Sequence, residues 1–360
     1  MRLLALLLAV CMLLGGCSWM SGAYSSIRPH TQSYSSTNRE TPTGAAATFL
    51  ELRSAICDLV DQAQERGLIV LAGYDPQSLQ GDVRSAVEYA LESYPLGCYA
   101  LENLRWELGT SGKDQVLRLT LSYRLSRSAI ASIQKVRTPS AARTLIQQAM
   151  ASCDSLVVFQ VSNYSETDFL QMIQDYARRN PDLVMEMPQA ILSFYPQEGA
   201  RRLVEIQFSY QNDREELRRM QREVQQVVQS ATLYLLPGCT AMEHYGQLYT
   251  FLMERFHYSL ENSVTPAYSL LLHGVGDSRA FASVFSLLCQ KAGLYCQTVS
   301  GTRNGESWNW NLISDGQQFF HVDLLRGGEF TPLEDWRMEG YVWDYSAYPA
   351  SVAAVQPTGE

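Results

Sequence analysis

Residues 265–301 read TPAYSLLLHGVGDSRAFASVFSLLCQKAGLYCQTVSG and determine how the C-terminal half is organised. From residue 281 onward, apolar side chains recur at the spacing of one helical face, and Gly293 follows where a helix commonly ends. The pattern predicts a helix that begins near Ser278. A Ser or Asp at such a beginning accepts a backbone N–H as an N-cap residue, which is the first interpretation of Ser278.

The stretch that follows carries a second set of motifs. Residues 306–324 read ESWNWNLISDGQQFFHVDL, and Trp343-Asp344 and Tyr348-Pro349 come after it. Over roughly 240–350 the chain resembles the transglutaminase-like superfamily, whose catalytic core is papain-like. The matching motifs are Ala292-Gly293, Val299-Ser300-Gly301, Trp310-Asn311 and His321-Val322-Asp323. The resemblance implies a domain of this kind over 237–350, with a tail at 351–360.

The resemblance also implies a mechanism, and two of its three residues are replaced. In the family, a cysteine at a helix N-terminus attacks a carbonyl, a histidine takes its proton, and an aspartate orients the histidine. The motifs place Ser278 at the cysteine position, Trp308 at the histidine position and Asp323 at the aspartate position. An indole N–H donates but cannot accept a proton, so Ser278 has no base there. We therefore expect no catalytic residues, and no cofactor or metal.

Two alternatives stay open at these positions. Trp308 shares a strand face with Trp310, so it is either core packing that fills the former cleft or part of an aromatic binding surface. His321 and Asp323 are two residues apart on a predicted strand, so His321 could serve as a substitute base. In that case Ser278 and His321 would form a residual hydrolase or acyltransferase site. Asp323 would otherwise hold a turn or hydrogen-bond a neighbour.

The N-terminus predicts where the protein resides. Arg2 precedes an apolar run that is too short to span a bilayer as a helix, which takes about 20 residues. The run ends in Leu14-Gly15-Gly16-Cys17, which resembles the lipobox of bacterial lipoproteins. The resemblance implies a signal peptide over 1–16 and an acylated, for example palmitoylated, Cys17 that anchors the chain in the membrane. Residues 17–44 are rich in Ser, Thr, Gly and Pro, which is typical of a flexible tether.

Two stretches of the first half share one pattern at an offset of 87 residues, from 119 to 206 for example. Residues 116–121 and 203–208 alternate with period two, as half-buried strands do. We therefore predict an α+β fold, in which duplicated β-α-β-β-α units over 45–150 and 151–236 precede the transglutaminase-like domain. The matched pairs are Val70 with Val157, Tyr89-Ala90 with Tyr176-Ala177, Leu104 with Ile191, Leu119 with Ile206, and Ser122-Tyr123 with Ser209-Tyr210.

Composition narrows the classes of partner. The chain has a net charge of −9, a pI near 5.2 and 46% hydrophobic residues, which argues for an acidic folded protein and against nucleic acid as a partner.

No cysteine and histidine spacing typical of zinc sites occurs. The pairing of the cysteines outside the N-terminus stays open, and two of them, Cys289 and Cys296, are either a disulfide or two buried thiols. These cysteines are Cys57, Cys98, Cys153, Cys239, Cys289 and Cys296.

These observations predict a lipoprotein at the extracytoplasmic face of a bacterial cell membrane. Its expected function is that of a non-catalytic binding or structural module at the cell envelope, in effect a pseudoenzyme. The membrane is the expected partner through lipidated Cys17, and a peptide, a cell-wall component or another envelope protein is the expected ligand. The alternative is the residual enzyme that uses Ser278 with His321.

Overall fold

A computed structural model of the chain describes residues 41–164, 167–260 and 266–351. The predicted signal peptide, Cys17, nearly all of the tether and the tail after residue 351 lie outside the described residues. The helices are α1 Phe49–Asp61, α2 Leu79–Glu88, α3 Pro95–Ala100, α4 Arg127–Ser132, α5 Pro139–Ala151, α6 Phe169–Arg179, α7 Arg214–Leu233, α8 Ala241–Arg255, α9 Pro266–His273 and α10 Ser278–Lys291.

The strands form three four-stranded sheets and one two-stranded pair within the described residues. A five-residue π-helix, Tyr89–Ser93, continues α2, and short 3₁₀ helices lie at Leu324–Arg326, Asp335–Arg337 and Tyr345–Ala347. The strands are β1 Gly44–Ala45, β2 Arg66–Val70, β3 Leu101–Ser111, β4 Asp114–Tyr123, β5 Gln134–Val136, β6 Leu156–Val161, β7 Gln189–Tyr195, β8 Arg202–Ser209, β9 His257–Tyr258, β10 Val275–Gly276, β11 Cys296–Arg303, β12 Glu306–Ser314, β13 Phe319–Val322 and β14 Tyr341–Trp343. The fold is therefore mixed α+β, as predicted.

The first sheet has the strand order β1-β2-β4-β3, with β1 parallel to β2 and the other pairs antiparallel. In β4, the side chains of Leu117, Leu119 and Leu121 alternate onto one face and are buried. They pack in one core with Ile56 of α1 and Val83 of α2. The period-two pattern of the sequence therefore places the apolar face of this sheet under two helices.

The second sheet, β5-β6-β8-β7, repeats the strand order and the pairing directions of the first. Phe159 of β6 and Ile206 of β8 share a core with Ile146 of α5. Strand β5 and helix α5, which come before the predicted boundary of 151, belong to this sheet and its core. Each unit also opens with a strand and a helix that the predicted β-α-β-β-α pattern lacks.

The constant offset of 87 residues does not extend through both sheets. Leu119 pairs with Gly67, and Ile206 pairs with Val157. When Leu119 is aligned with Ile206, Val157 therefore aligns with Gly67 and not with Val70 as predicted. The offset at this strand is 90 residues, from 67 to 157, because the chain between the two paired strands is longer in the first unit.

The third sheet, β13-β12-β11-β14, is antiparallel and forms the C-terminal region together with α8, α9 and α10. Helix α10 covers one face, where Asn311 of β12 donates from Nδ2 to the Ala282 carbonyl at 2.8 Å. The other face carries a separate core with Trp310 at its centre. Helix α7 of the second unit packs into the core around α10 through Leu217. Among the described residues, no helix is long and apolar enough to cross a membrane.

Candidate functional site

Ser278 is the first residue of α10, and it is not the residue that caps the helix. The cap is Asp277, whose Oδ1 accepts a hydrogen bond from the Ala280 N–H at 2.8 Å. Ser278 is buried, and its Oγ accepts from the backbone N–H of Asn309 at 3.3 Å. The hydroxyl at the predicted nucleophile position therefore contacts the strand that carries Trp308.

Trp308 is half-buried on β12 and joins three neighbours. Its Nε1–H donates to Oδ2 of Asp323 at 3.1 Å. The guanidinium carbon of Arg303 lies 5.2 Å from the Trp308 ring centroid, within the range of a cation–π contact. The ring of Tyr258, from the strand that pairs with the residues just before α10, lies 5.8 Å from Trp308 between centroids. Tyr258 is 45% exposed, so this aromatic stack reaches the surface.

Asp323 accepts hydrogen bonds from four donors. Besides Trp308, its Oδ2 accepts from the Tyr341 hydroxyl at 2.6 Å and from Nη1 of Arg303 at 3.1 Å. Its Oδ1 accepts from the Leu325 N–H at 3.0 Å and so caps a 3₁₀ turn. Burial raises the pKa of Tyr341, and the neighbouring carboxylate of Asp323 raises it further. The carboxylate is buried and fully engaged in holding its surroundings together, which agrees with the interpretation of Asp323 as a residue that holds a turn.

His321 is buried in the core on the sheet face opposite α10. Its Nδ1 accepts from the indole N–H of Trp310 at 2.9 Å, which fixes the neutral tautomer and leaves Nε2–H to donate to Asp335 at 2.8 Å. Burial lowers the pKa of His321, although Asp335 acts in the opposite direction. Both ring nitrogens are occupied, and no hydrogen bond joins Ser278 to His321 in the described structure. The predicted rescue pair is therefore not assembled, because the sheet separates the two side chains.

Three residues of this network were missed in the sequence. Arg303, Tyr341 and Asp335 each contact a predicted site residue across a sequence separation of 14 or more. Nothing in the local pattern of the sequence marks such contacts, since they depend on which strands become neighbours. The cap at Asp277 could have been assigned, because it precedes the first helical residue and Asp is a preferred N-cap.

The cysteines outside the N-terminus are free thiols in the structure. Cys289, in the last turn of α10, is buried, and its thiol lies beside that of Cys296 at the start of β11. Burial raises the pKa of Cys289 well above its ordinary value. The described residues contain no group of three or more His, Cys, Asp or Glu side chains arranged to hold a metal ion.

Comparison with known proteins gives one family match. The family model described as the transglutaminase-like superfamily matches residues 238–347. Searching the curated proteins finds no match. A solved structure described as a TGase is similar with 7% identity and a TM-score of 0.27, covering 55% of this chain and 61% of that one. A "putative protease" from Parabacteroides distasonis is similar with 8% identity and a TM-score of 0.22, covering 74% of this chain and 44% of that one.

This chain therefore spans less than two thirds of the length of either solved structure. The assignment rests on the family model, whose matched range begins just before α8 and ends just after β14. That range includes α10, which carries Ser278, and the third sheet, which carries Trp308. Residues 238–347 form a transglutaminase-like domain.

Proposed function

We propose that this protein is a bacterial lipoprotein, anchored at the extracytoplasmic face of the cell membrane, whose transglutaminase-like domain binds a ligand without catalysing acyl transfer. A peptide, a cell-wall component or another envelope protein is the proposed ligand. The observation that carries the proposal is the hydrogen bond from Trp308 Nε1 to Asp323 at 3.1 Å. In the family, the aspartate orients the catalytic histidine, and here it is occupied by a group that cannot accept a proton.

The surroundings of Ser278 support the loss of catalysis. A serine hydroxyl attacks a carbonyl only when an adjacent base takes its proton. The Oγ of Ser278 faces a backbone donor, the N–H of Asn309, and His321 is engaged on the other side of the sheet. The dipole of α10 favours an anion at its N-terminus by only about 0.3–1 kcal/mol, which is far less than the ionisation of a hydroxyl requires at neutral pH.

The stack of Arg303, Trp308 and Tyr258 supports a binding role. Aromatic and arginine side chains contribute most of the energy in protein interfaces, and this stack presents both at the surface. The Nε1–H of Trp308 is hydrogen-bonded to Asp323, so the ring has little conformational freedom to lose when a ligand binds. We name this set of three side chains the aromatic stack and propose it as the ligand contact.

The aromatic stack can be tested with two tyrosines of equal exposure. Tyr258 and Tyr295 are both 45% exposed, but Tyr295 packs on Phe319 and not on Trp308. We expect Tyr258→Ala to weaken capture of envelope components by the full chain about tenfold, or about 1.4 kcal/mol, and Tyr295→Ala to leave it unchanged. The measurement is a pull-down from envelope extract with quantitative mass spectrometry. Equal capture by both variants would contradict the proposed contact.

The membrane anchor is tested at Cys17. Lipid attached to this thiol contributes about 0.8 kcal/mol of membrane affinity per buried CH₂ group, and two or more chains hold a protein stably. We expect Cys17→Ala to lose this acylation and to appear in the soluble fraction or as an uncut precursor. Cell fractionation followed by immunoblotting distinguishes these products, with Cys57→Ala as the control that should stay in the membrane. Normal processing and full membrane retention of Cys17→Ala would contradict the lipoprotein proposal.

We further propose that the two α+β units arose by duplication. Both have the same strand order, and α1 and α5 begin with the same cap, in which Thr48 or Thr138 accepts from the backbone N–H three residues on. Both helices are followed by a residue in the left-handed conformation, Ala63 or Cys153, although neither is glycine. An unfavoured backbone conformation at matched positions, 90 residues apart, supports a common origin.

A further inference from the structure

The outer strand β7 is a free sheet edge of unusual composition. Residues 189–195 read QAILSFY and contain no charged side chain. Within the described part of the chain, β8 is the strand that pairs with β7, so the other edge of β7 has no strand beside it. Proteins usually protect such edges with charges, with proline or by keeping the strand short, because unpaired N–H and C=O groups recruit another strand.

The other outer strands in the described structure are protected in these ways. Strand β3 is longer than β7 but carries Glu102, Arg105 and Glu107. Strands β1, β5, β9, β10 and β14 have two or three residues each. In β13, the backbone N–H and C=O of His321 both pair with Leu333. Strand β7, with seven residues and no charge, is therefore the long edge without charges among the described strands. Its last residue, Tyr195, packs on Tyr99 of α3 at 5.1 Å between ring centroids.

The sequence of β7 is complementary to itself in the antiparallel direction. An antiparallel pair centred on Leu192 brings Ala190 opposite Phe194 and Ile191 opposite Ser193, so a large side chain faces a small one in these pairs. Leu192 faces its own copy at the centre, and Gln189 faces Tyr195 at each end. Pro188 then lies opposite Pro196, and neither proline can donate a backbone hydrogen bond. The pairing would thus end at both sides after the seven residues of the strand.

We infer that β7 pairs with β7 of a second copy of this chain. The second sheet of one copy and that of the other then form one eight-stranded sheet across a twofold axis at Leu192. Such an interface is isologous, since the same strand serves both copies. It forms roughly six to eight backbone hydrogen bonds, depending on which alternate residues face outward. It also covers Ile191, a large apolar side chain that is 63% exposed in the single chain. No charge opposes the contact, because the strand carries none.

The inference is independent of the transglutaminase-like domain and is tested by the mass of the particle. The full chain, purified in a non-ionic detergent, is expected to have a protein mass of two chains by light scattering at micromolar concentration. Ile191→Lys brings two cations close together across the axis and should give a single-chain mass with an unchanged circular dichroism spectrum. Leu108→Lys on β3 is the matched control and should stay dimeric. A single-chain mass for the unmodified protein, or a dimer that survives Ile191→Lys, would overturn the inference.

A cysteine at the axis provides a second readout. Leu192→Cys brings two thiols of the dimer face to face, and mild oxidation should join the copies in a disulfide. The unmodified chain and Leu108→Cys are the controls for the native thiols, and neither should form a comparable covalent dimer on a non-reducing gel. Crosslinking of Leu108→Cys to the same extent as Leu192→Cys would mean random collision and would overturn the assignment to β7.

Discussion

Replacing Trp310 with alanine is expected to lower the free energy of unfolding by about 4 kcal/mol, the largest effect of any single substitution discussed for this protein. The indole is fully buried in the core on the face of the third sheet opposite α10. Its ring lies 5.2 Å from that of Tyr341 and 5.7 Å from that of Trp343, between centroids. The substitution leaves a large cavity and removes the donor to Nδ1 of buried His321.

Urea unfolding followed by circular dichroism measures this loss. The control is Trp336→Ala, since Trp336 is 73% exposed and its removal should change stability by no more than about 0.5 kcal/mol. A loss below about 1 kcal/mol for Trp310→Ala would mean that this core is not packed as described.

The second large effect is expected at Asp323. Replacing it with alanine removes the acceptor for Trp308, Arg303 and Tyr341 at once, together with the cap of a 3₁₀ turn. The side chain of Asp323 is 2% exposed and that of Arg303 is 26% exposed, so the cation left behind is only partly solvated. We expect a loss of about 3 kcal/mol, which is at the lower end for breaking a buried ion pair because water can still reach Arg303.

The matched control is Asp344→Ala, which removes an exposed carboxylate that caps another 3₁₀ turn through Ser346. Its expected cost is about 1 kcal/mol or less. Thermal and urea unfolding of both variants measure the difference. If Asp323→Ala were as stable as Asp344→Ala, the interpretation of Asp323 as a structural hub would be wrong. The presence of Asp323 at the family's aspartate position would then need another explanation.

Periodic features of the structure could be predicted from the sequence. The apolar spacing after residue 277 predicts a helix, and α10 spans Ser278–Lys291. The alternation at 116–121 and 203–208 predicts strands, which are parts of β4 and β8. These patterns are visible because one face of each element is buried, and burial fixes which residues are apolar. The strands β1 and β5 were missed, because two or three residues are too few to show a period. The helices α1 and α5 each begin after a Thr cap and have a buried apolar face, so the sequence does carry a signal for them.

The site was predicted less completely, for a different reason. The positions of Ser278, Trp308 and Asp323 follow from sequence motifs, but their partners depend on tertiary pairing. Trp308 could be expected to point to the same face as Trp310, whereas its bond to Asp323 requires that the end of β13 lie beside β12. The hydrogen bonds of His321 to Trp310 and Asp335 could not be predicted for the same reason, since strand alternation does not reveal which face the helix covers.

The carboxylate of Asp323 and the imidazole of His321 have similar structural roles. In the family, the catalytic histidine occupies the position of Trp308 and the aspartate orients it. Here Asp323 accepts from the indole of Trp308, while His321, which is not at that catalytic position, accepts from the buried indole of Trp310. Both groups hold an aromatic side chain in place, and the ring held by Asp323 belongs to the aromatic stack for which a binding role is proposed.

The most direct test of the central claim is an activity measurement on the unmodified full chain. General acid–base catalysis contributes typically 10²–10⁴-fold to such reactions, and the hydrogen bond to Ser278 Oγ in the described structure comes from a backbone N–H, which cannot accept its proton. We predict that amine incorporation into a glutamine peptide and hydrolysis of peptide and ester substrates stay at background, and that Ser278→Ala gives the same trace. Turnover by the unmodified chain that disappears in Ser278→Ala would contradict the account, and its loss in His321→Ala as well would establish the serine and histidine pair as the catalytic site.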